Sequence, residues 1–476
     1  MHLVPAPATV TTLPESFALT PATAISAPSG HAATQLAGLL RRPVTSAGAI
    51  TLTLDGPAEL GREGYLLDVD GTGVRLRAHT DEGLFRGVQT LRQMLPADVE
   101  GPSPQTTPWI VPGVRIEDRP RFAWRGVMLD VARHFFPVDD VKRFIDLAVP
   151  YKINILHLHL SDDQGWRLAV GGWPRLTTYG GGSEVGGGPG GFYTQDDYTE
   201  IVRYAAERHL TVVPEIDAPG HTNAALASYP ELTRDGVAPE RYTGIEVGFS
   251  SLAADLDVTY RFLDEVIGEI AALTPGPYLH IGGDEAHSTE PAEYARFITY
   301  LEQTVRRHGK TMLGWQEVSS APLTPGDIVQ YWRALSGHEP DIRPALDAVA
   351  KGAKLIMSPA MHTYLDLKYS GESALGQDWA GLLEARQSYE WDPAALIEGV
   401  GETDVLGVEA ALWTETLATW EDLTYMTLPR LPGIAEIGWS PAGGTWSGYA
   451  PRIAAHQARW AAAGLRYHHS PDLNEA

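Results

Sequence analysis

Two adjacent carboxylic acids, Asp284 and Glu285, follow a short apolar run that ends in Gly282-Gly283. Neighbouring side chains of a regular strand point to opposite faces, so adjacent acids in a strand could not serve one site. Glycine accepts backbone conformations that other residues avoid, so two glycines would let both carboxylates converge. The alternative is a glycine turn that carries two solvated acids. Converging carboxylates could serve one site together.

Strand and helix patterns alternate after Pro120. Eight candidate strands lie at 124–129, 153–160, 211–216, 278–283, 311–315, 328–332, 354–358 and 406–413. Apolar residues at helical spacing predict helices at 138–152, 194–209, 257–273, 292–308 and 342–351. Alternating strands and helices indicate a parallel sheet, and eight such units predict a (β/α)8 TIM barrel.

The active site of such a barrel lies at the carboxyl ends of the strands. Acids and aromatic residues recur there: Asp130 and Arg133; His157, His159 and Asp162; Glu215, Asp217 and His221; Asp284 and Glu285; Trp315 and Glu317; Trp332; Tyr364, Asp366 and Trp379; Trp413 and Glu415. A tryptophan near a strand end is more often a core residue than a binding platform. As a set, however, tryptophan faces suit the apolar faces of sugars, and carboxylates and arginine suit their hydroxyls. The set predicts a carbohydrate pocket.

The first 120 residues read as a small α+β domain. Strand patterns at 50–54, 64–69 and 74–78 surround a turn at 70–73, and residues 81–95 have helical spacing. Nothing in this region resembles a catalytic group. We therefore expect an accessory domain over residues 1–120 and a catalytic barrel over residues 121–476.

Composition narrows the classes of partner. The chain has 476 residues, 36 basic and 60 acidic, with a net charge of -24. This charge argues against nucleic acid or an anionic membrane as partner, because both require a basic surface. The absence of cysteine excludes disulfides, thiolate metal sites and a cysteine nucleophile. No apolar run approaches the roughly 18 residues of a membrane span.

Five motifs give the barrel region a specific resemblance. They occur in order along the chain at Arg125–His134, His157–Gln164, Pro214–His221, His280–Glu285 and Gly314–Glu317. In these motifs the sequence resembles the β-N-acetylhexosaminidases of glycoside hydrolase family 20, especially the secreted bacterial enzymes. The amino-terminal region is similar to the small accessory domain of that family.

The resemblance implies an exo-acting, retaining enzyme that releases terminal N-acetylglucosamine or N-acetylgalactosamine. The nucleophile would be the substrate's own 2-acetamido group, through an oxazolinium ion, in place of the second of two opposed carboxylates that most glycosidases use. Glu285 would be the general acid, and Asp284 would orient the acetamido group and stabilise the charge on its nitrogen. Tyr364 would donate to the acetamido oxygen. Asp162 and His221 would tune the protonation of Glu285.

The same resemblance implies the remaining binding residues. Trp315, Trp332 and Trp413 would wall the acetamido pocket, Trp379 would line the sugar site, and Arg133, Asp366 and Glu415 would hold ring hydroxyls. A general acid that works near neutral pH needs a raised pKa, which we expect from burial and neighbouring acids. No cofactor and no metal are expected. The expected partners are chito-oligosaccharides and other small N-acetylhexosaminides.

Several features stay open at this point. The start of the chain is not a signal peptide. We expect a secreted protein from which the signal has been removed, with a cytoplasmic location as the alternative. Oligomeric state and the choice between gluco and galacto sugars do not follow from the sequence.

Two other functions fit parts of the sequence. His157 and His159 share a strand face, and Asp162, His221 and His280 could complete a metal site. However, paired histidines lie on the first barrel strand in amidohydrolases and on the second strand here. The other alternative is a sugar-binding protein without activity, which would be expected to have lost the acid.

Overall fold

The computed structural model describes residues 1–103, 105–333 and 341–473. The amino-terminal part is the small α+β domain predicted above. Its elements are β1 (Thr9–Thr12), β2 (Phe17–Leu19), β3 (Ile25–Ser26), α1 (His31–Leu40), β4 (Val44–Thr45), β5 (Ile50–Thr53), β6 (Tyr65–Asp70), β7 (Gly73–Ala78), α2 (Asp81–Met94), β8 (Trp109–Val111) and β9 (Val114–Asp118). Seven strands form one sheet in the order β1-β9-β6-β7-β5-β3-β4, and β2 pairs with β8.

Helix α2 joins this sheet to the rest of the molecule. Thr80 caps its first turn by accepting the N–H of Gly83. Arg86 of this helix is fully buried, and it donates to the carbonyl oxygens of Ile153 and His209 in the barrel. Residues on most sides of α2 are buried, because the helix lies between two layers.

Eight parallel strands close into a barrel in chain order, which confirms the predicted (β/α)8 fold. They are β10 (Trp124–Asp130), β11 (Ile155–His159), β12 (Thr211–Glu215), β13 (Tyr278–His280), β14 (Thr311–Trp315), β15 (Ile328–Tyr331), β16 (Lys354–Met357) and β17 (Val405–Leu412). The prediction for β13 was too long. Gly282 and Gly283 have φ of 66° and 96°, which takes the backbone out of the extended region before the acids are reached.

The helices after α2 surround the barrel and its loops. They are α3 (Val138–Ala148), α4 (Arg175–Thr178), α5 (Gln195–Ala206), α6 (Asn223–Ser228), α7 (Asp257–Leu273), α8 (Pro291–Arg307), α9 (Arg343–Ala350), α10 (Ala360–Thr363), α11 (Ala385–Tyr389), α12 (Trp420–Thr427), α13 (Arg430–Trp439), α14 (Trp446–Ala454) and α15 (Gln457–Ala462). The predicted helix 138–152 ends early, because Pro150 cannot donate within a continuing helix. None of the helices in the described residues has the length and hydropathy needed to cross a membrane.

Buried ion pairs connect the first domain to the amino-terminal end of the barrel. Glu63 accepts from Arg86 at 2.9 Å and from Arg125 of β10, and both guanidinium groups are fully buried. Asp118, at the end of β9, accepts from Lys152 at 2.8 Å. A buried charge that loses its partner is strongly destabilising. The carboxylates of the first domain therefore stabilise the buried cations of the barrel, and the cations stabilise the carboxylates in turn.

Candidate active site

A cavity of about 310 Å³ opens at the carboxyl ends of the barrel strands. Its lining residues are Arg133, His221, Ile245, Val247, Asp284, Glu285, Trp332, Tyr364, Asp366, Gln377, Trp379, Trp413 and Glu415. All but Ile245, Val247 and Gln377 are among the residues that the sequence indicated. Asp162 and Trp315 lie immediately behind this surface and are almost completely buried.

Backbone geometry brings the two adjacent acids into one cavity. A side chain at Gly282 would place its Cβ 1.8 Å from Oδ1 of Asp217, and the N–H of Gly283 donates to that oxygen at 3.0 Å. Both glycines have positive φ, and Glu285 itself has φ of 46°. Asp284 and Glu285 therefore both face the cavity, as the glycine pair predicted.

His221 lies between the acid pair and Asp162. Its Nε2 lies 3.4 Å from Oε2 of Glu285 and 3.7 Å from Oδ2 of Asp284, and its Nδ1 lies 3.3 Å from Oδ1 of Asp162. Burial opposes the charged imidazole, but the carboxylates of Asp162 and Asp284 outweigh it and raise the pKa of His221 well above its ordinary value. These carboxylates therefore favour the charged form of the imidazole beside Glu285.

The expected rise in the pKa of Glu285 is wrong for the free protein. Burial does raise this pKa, but the hydrogen bond and the charge of His221 lower it more, so the pKa falls below its ordinary value. Burial and neighbouring acids can be inferred from the sequence. The effect of the imidazolium cannot, because the contact between Glu285 and His221 exists only in the folded chain.

Asp284 is surrounded mainly by acids. Burial raises its pKa, and the charge of Glu285 adds to this effect against the opposing charge of His221. Burial and the charge of Asp284 in turn raise the pKa of Asp217 well above its ordinary value. The sequence analysis placed Asp217 at a strand end but gave it no role, although it lies two positions after Glu215 and this spacing indicates the same face.

Aromatic rings form the walls of the cavity. Trp332 stacks with Tyr364 at a centroid distance of 6.3 Å and an angle of 18°. Trp413 lies 6.2 Å from Tyr364, and Trp379 closes the rim with 44% of its surface exposed. Trp315 is 1% exposed, so it supports Trp413 from behind at 5.7 Å and does not face the cavity itself.

Unsatisfied buried oxygens face the same space. Both carboxyl oxygens of Asp366 and one oxygen of Glu415 are buried and accept no hydrogen bond from the described part of the protein. Arg133 lines the same cavity, with a terminal nitrogen 2.8 Å from Asp162 and its guanidinium 4.8 Å from the Trp413 ring. A buried acceptor without a partner is costly, so these oxygens indicate a ligand with hydroxyl groups.

Two family models together match nearly the whole chain. The model of the glycosyl hydrolase family 20 catalytic domain matches residues 122–442, and that of domain 2 of the same family matches residues 1–119. The chain belongs to glycosyl hydrolase family 20. This membership confirms the resemblance and the predicted enzyme class, an exo-acting β-N-acetylhexosaminidase.

Relatives of this family 20 enzyme match it along nearly its whole length. A β-N-acetylhexosaminidase of Cellulomonas fimi is 46% identical over 474 residues, which cover 96% of this chain and 94% of that protein. A mutant Streptomyces plicatus β-hexosaminidase, solved with the product GlcNAc, is 53% identical with a TM-score of 0.96 and coverage of 99% and 97%. An exo β-N-acetylglucosaminidase of Vibrio harveyi, solved with N-acetylglucosamine, is 29% identical with a TM-score of 0.85 and coverage of 98% and 78%.

The histidines of the family 20 barrel are arranged for hydrogen bonding. His157, Glu215 and His280 place potential ligand atoms within 4.8 Å of one another, so their spacing alone would admit a metal ion. However, Nδ1 of His159 lies 2.5 Å from Glu215, and Nδ1 of His157 lies 2.8 Å from Glu409. Burial opposes the charge of His157, but its carboxylate partners Glu409 and Glu215 raise its pKa to about 9. These contacts pair the Nδ1 atoms of His157 and His159 with carboxylates, so the geometry favours a carboxylate–imidazole network.

Proposed function

We propose that this enzyme cleaves terminal β-linked N-acetylglucosamine and N-acetylgalactosamine from chito-oligosaccharides and related glycosides, with the substrate's acetamido group as nucleophile. The observation that carries the proposal is the position of both acids on one side of one cavity, within 4 Å of the same imidazole nitrogen of His221. A protein nucleophile would instead flank the scissile bond at about 5–5.5 Å from the acid. Asp284 is therefore placed to assist a nucleophile that belongs to the sugar.

The first step breaks the glycosidic bond. Glu285 gives its proton to the glycosidic oxygen while the acetamido carbonyl oxygen attacks C1, and the leaving alcohol departs with that proton. Asp284 accepts a hydrogen bond from the acetamido N–H and stabilises the positive charge that develops on the oxazolinium ring. Tyr364, whose hydroxyl lies in the aromatic wall, donates to the acetamido oxygen.

The second step restores the enzyme. Glu285, now a carboxylate, takes a proton from water as the water attacks C1. The bond between C1 and the acetamido oxygen breaks, and its electron pair returns to the acetamido carbonyl. Two displacements at C1 retain the β configuration. Arg133, Asp366 and Glu415 hold the sugar hydroxyls during both steps, which uses the buried oxygens without protein partners.

The His221–Glu285 pair supplies the proton for the first step. Within the pair the imidazole holds the proton more strongly, since the pKa of His221 is raised and that of Glu285 is lowered. A bound sugar excludes water from around Glu285, and a drier site disfavours the separated charges of the pair. The proton then moves to Glu285, which becomes the acid.

Hydrolysis of matched aryl glycosides tests this function. The β-N-acetylglucosaminide and β-N-acetylgalactosaminide of nitrophenol should both be cleaved, whereas the β-glucoside, which lacks the acetamido group, should not. A thiazoline that mimics the oxazolinium ion should compete with substrate, and the first sugar released should be the β-anomer. Efficient cleavage of the glucoside would contradict participation of the acetamido group.

We also propose that the enzyme is secreted. The resemblance to secreted bacterial enzymes of the family supports this location, with the cytoplasm as the alternative. Hexosaminidase activity and an antibody against the chain should both be found in the culture medium of the source cells. Activity confined to washed and lysed cells would favour the cytoplasm.

A further inference from the structure

A continuous series of buried acids and imidazoles runs from the floor of the barrel to the cavity. We call it the carboxylate–imidazole chain; in order it consists of Glu409, His157, Glu215, His159, Asp162 and His221. Each member is at most 2% exposed. Strand register assembles it, because His159 lies opposite Glu215 in the β11–β12 pair and Glu215 lies opposite His280 in the β12–β13 pair. Only Asp162 and His221 have a role in the proposed function.

Glu215 is the branch point of this chain. Its Oε2 lies 2.5 Å from Nδ1 of His159 and 3.0 Å from Nε2 of His157. Its Oε1 lies 3.0 Å from Nδ1 of His280 and 2.8 Å from the indole nitrogen of Trp315. One carboxylate of β12 thus lies within 3.0 Å of four nitrogen atoms, which belong to β11, β13 and β14.

One branch leads to the general acid. His159 lies 2.8 Å from Oδ2 of Asp162, and the other oxygen of Asp162 lies 3.3 Å from His221, which contacts Glu285 at 3.4 Å. Two imidazoles and one carboxylate therefore separate Glu215 from the acid. We call this path the acid branch.

The other branch leads to the aromatic wall. The indole N–H of Trp315 donates to Glu215, and the Trp315 ring lies 5.7 Å from that of Trp413, which lines the cavity. The hydrogen bond to Glu215 thus orients the ring that supports Trp413. We call this path the wall branch.

We infer that Glu215 is a positioning residue that aligns the acid and the acetamido pocket together, through the acid branch and the wall branch. The inference rests on the proposed function, and Glu215 itself touches neither substrate nor the reacting atoms. Because both branches start from one carboxyl group, displacement of that group disturbs the proton donor and the nucleophile's pocket at the same time.

The charges of the partners support this role. Burial alone would raise the pKa of Glu215, but the imidazoles of His159, His280 and His157 hold it well below its ordinary value. Burial likewise opposes the charge of His159, while Glu215 and Asp162 raise its pKa well above the ordinary value. Glu215 therefore remains a carboxylate, whose two oxygens accept from the imidazole of His159 and the indole of Trp315 at once.

Glu215→Gln tests the inference, because it keeps the shape of the side chain and removes its charge. The wild type is first measured on N-acetylglucosaminides with good and poor leaving groups and with the thiazoline; failure at this stage would concern the proposed function alone. In Glu215→Gln, kcat for the poor leaving group should fall about 10–100-fold. Changes of a similar size follow when the hydrogen-bond partners that orient metal ligands are mutated. The loss for the good leaving group should be smaller. Thiazoline affinity should fall in the same variant.

Glu409→Gln is the matched control. Glu409 is an equally buried carboxylate of the same chain, bonded to His157 and to the indole of Trp124, but it contacts neither His159 nor Trp315. This variant should keep the leaving-group dependence and the thiazoline affinity of the wild type. Equal losses in both variants would mean that any missing core carboxylate has the same effect, and would overturn the inference.

Trp315→Phe tests the wall branch without changing Glu215. The substitution keeps an aromatic ring and removes the N–H that Glu215 accepts. It should weaken thiazoline binding and leave the leaving-group dependence unchanged. In the double variant with Glu215→Gln, the loss of thiazoline affinity should be no larger than in Glu215→Gln alone, since both changes break one branch. An unchanged thiazoline affinity in Trp315→Phe, or additive losses in the double variant, would overturn the inference.

Discussion

His221 and Glu285 face each other across 3.4 Å, and both have left-handed backbone conformations, with φ of 55° and 46°. Residues with side chains adopt this conformation at an energetic cost and only where their surroundings hold them in place. Here Asp162 holds the imidazole and the two glycines before Asp284 set the path of the acid. The proton donor and its partner are thus placed by local backbone strain on two different strand ends.

His221→Gln should shift the pH dependence of the enzyme. In the wild type the last proton of the pair belongs to His221, whose pKa lies well above the ordinary value of about 6.5. Activity should therefore be lost only as pH rises through this raised pKa. In the variant the last proton is on Glu285 itself. This group is a carboxyl, and burial is the effect that still raises its pKa. The alkaline limb of kcat/KM should therefore move to lower pH. An unchanged limb, measured over the stable pH range of both proteins, would remove His221 from control of the proton.

Glu285→Gln should discriminate between leaving groups. A poor leaving group needs the proton of Glu285 and an activated aryl group does not, and general acid catalysis contributes about 10²–10⁴-fold. Cleavage of chitobiose should fall far more than cleavage of the nitrophenyl glycoside. The comparison requires kcat for both substrates with the same preparation, and losses of equal size would exclude Glu285 as the acid.

Asp284→Asn should act through the acetamido group. The amide keeps the size of the side chain but lacks the charge that stabilises the oxazolinium nitrogen, and one such group contributes roughly 10²–10³-fold to kcat. KM should change less, because the ground-state amide is neutral. The thiazoline should also bind more weakly to the variant. Near-normal kcat with tight thiazoline binding would show that Asp284 does not serve the nucleophile.

The sequence predicted those parts of the molecule that depend on local pattern. The alternation of strands and helices can be recognised from the periodicity of apolar residues along the chain. Gly282-Gly283 before two acids indicates that the backbone leaves the strand there, and this does not depend on the rest of the fold. The placement of most pocket residues follows, because parallel strands end at one face of a barrel.

Features that depend on contacts between strands could not be predicted in this way. The lowered pKa of Glu285 results from His221, which follows a different barrel strand, and the position of Glu215 results from the register of three strands. Ile245 and Val247 line the cavity from a loop without periodicity, with 47% and 41% of their surfaces exposed. Nothing in their local sequence separates them from other surface residues.

Glu63→Gln should destabilise the protein by separating the first domain from the barrel. The change leaves Arg125 buried without a paired carboxylate and Arg86 with Glu82 alone, and loss of one partner of a buried pair costs about 3–5 kcal/mol in the free energy of unfolding. Burial raises the pKa of Glu63, but the two arginines lower it below its ordinary value overall. The carboxylate therefore stabilises the fold above the ordinary carboxyl pKa, and this contribution is lost as pH falls through the lower pKa of the folded state. Unfolding midpoints in denaturant should differ between variant and wild type at pH 7 and converge in acid.

Asp68→Asn is the control, because its partner Arg115 is 69% exposed, and it should leave the midpoint nearly unchanged. A Glu63→Gln midpoint equal to that of the control at pH 7 would mean that the buried ion pairs do not hold the two parts together.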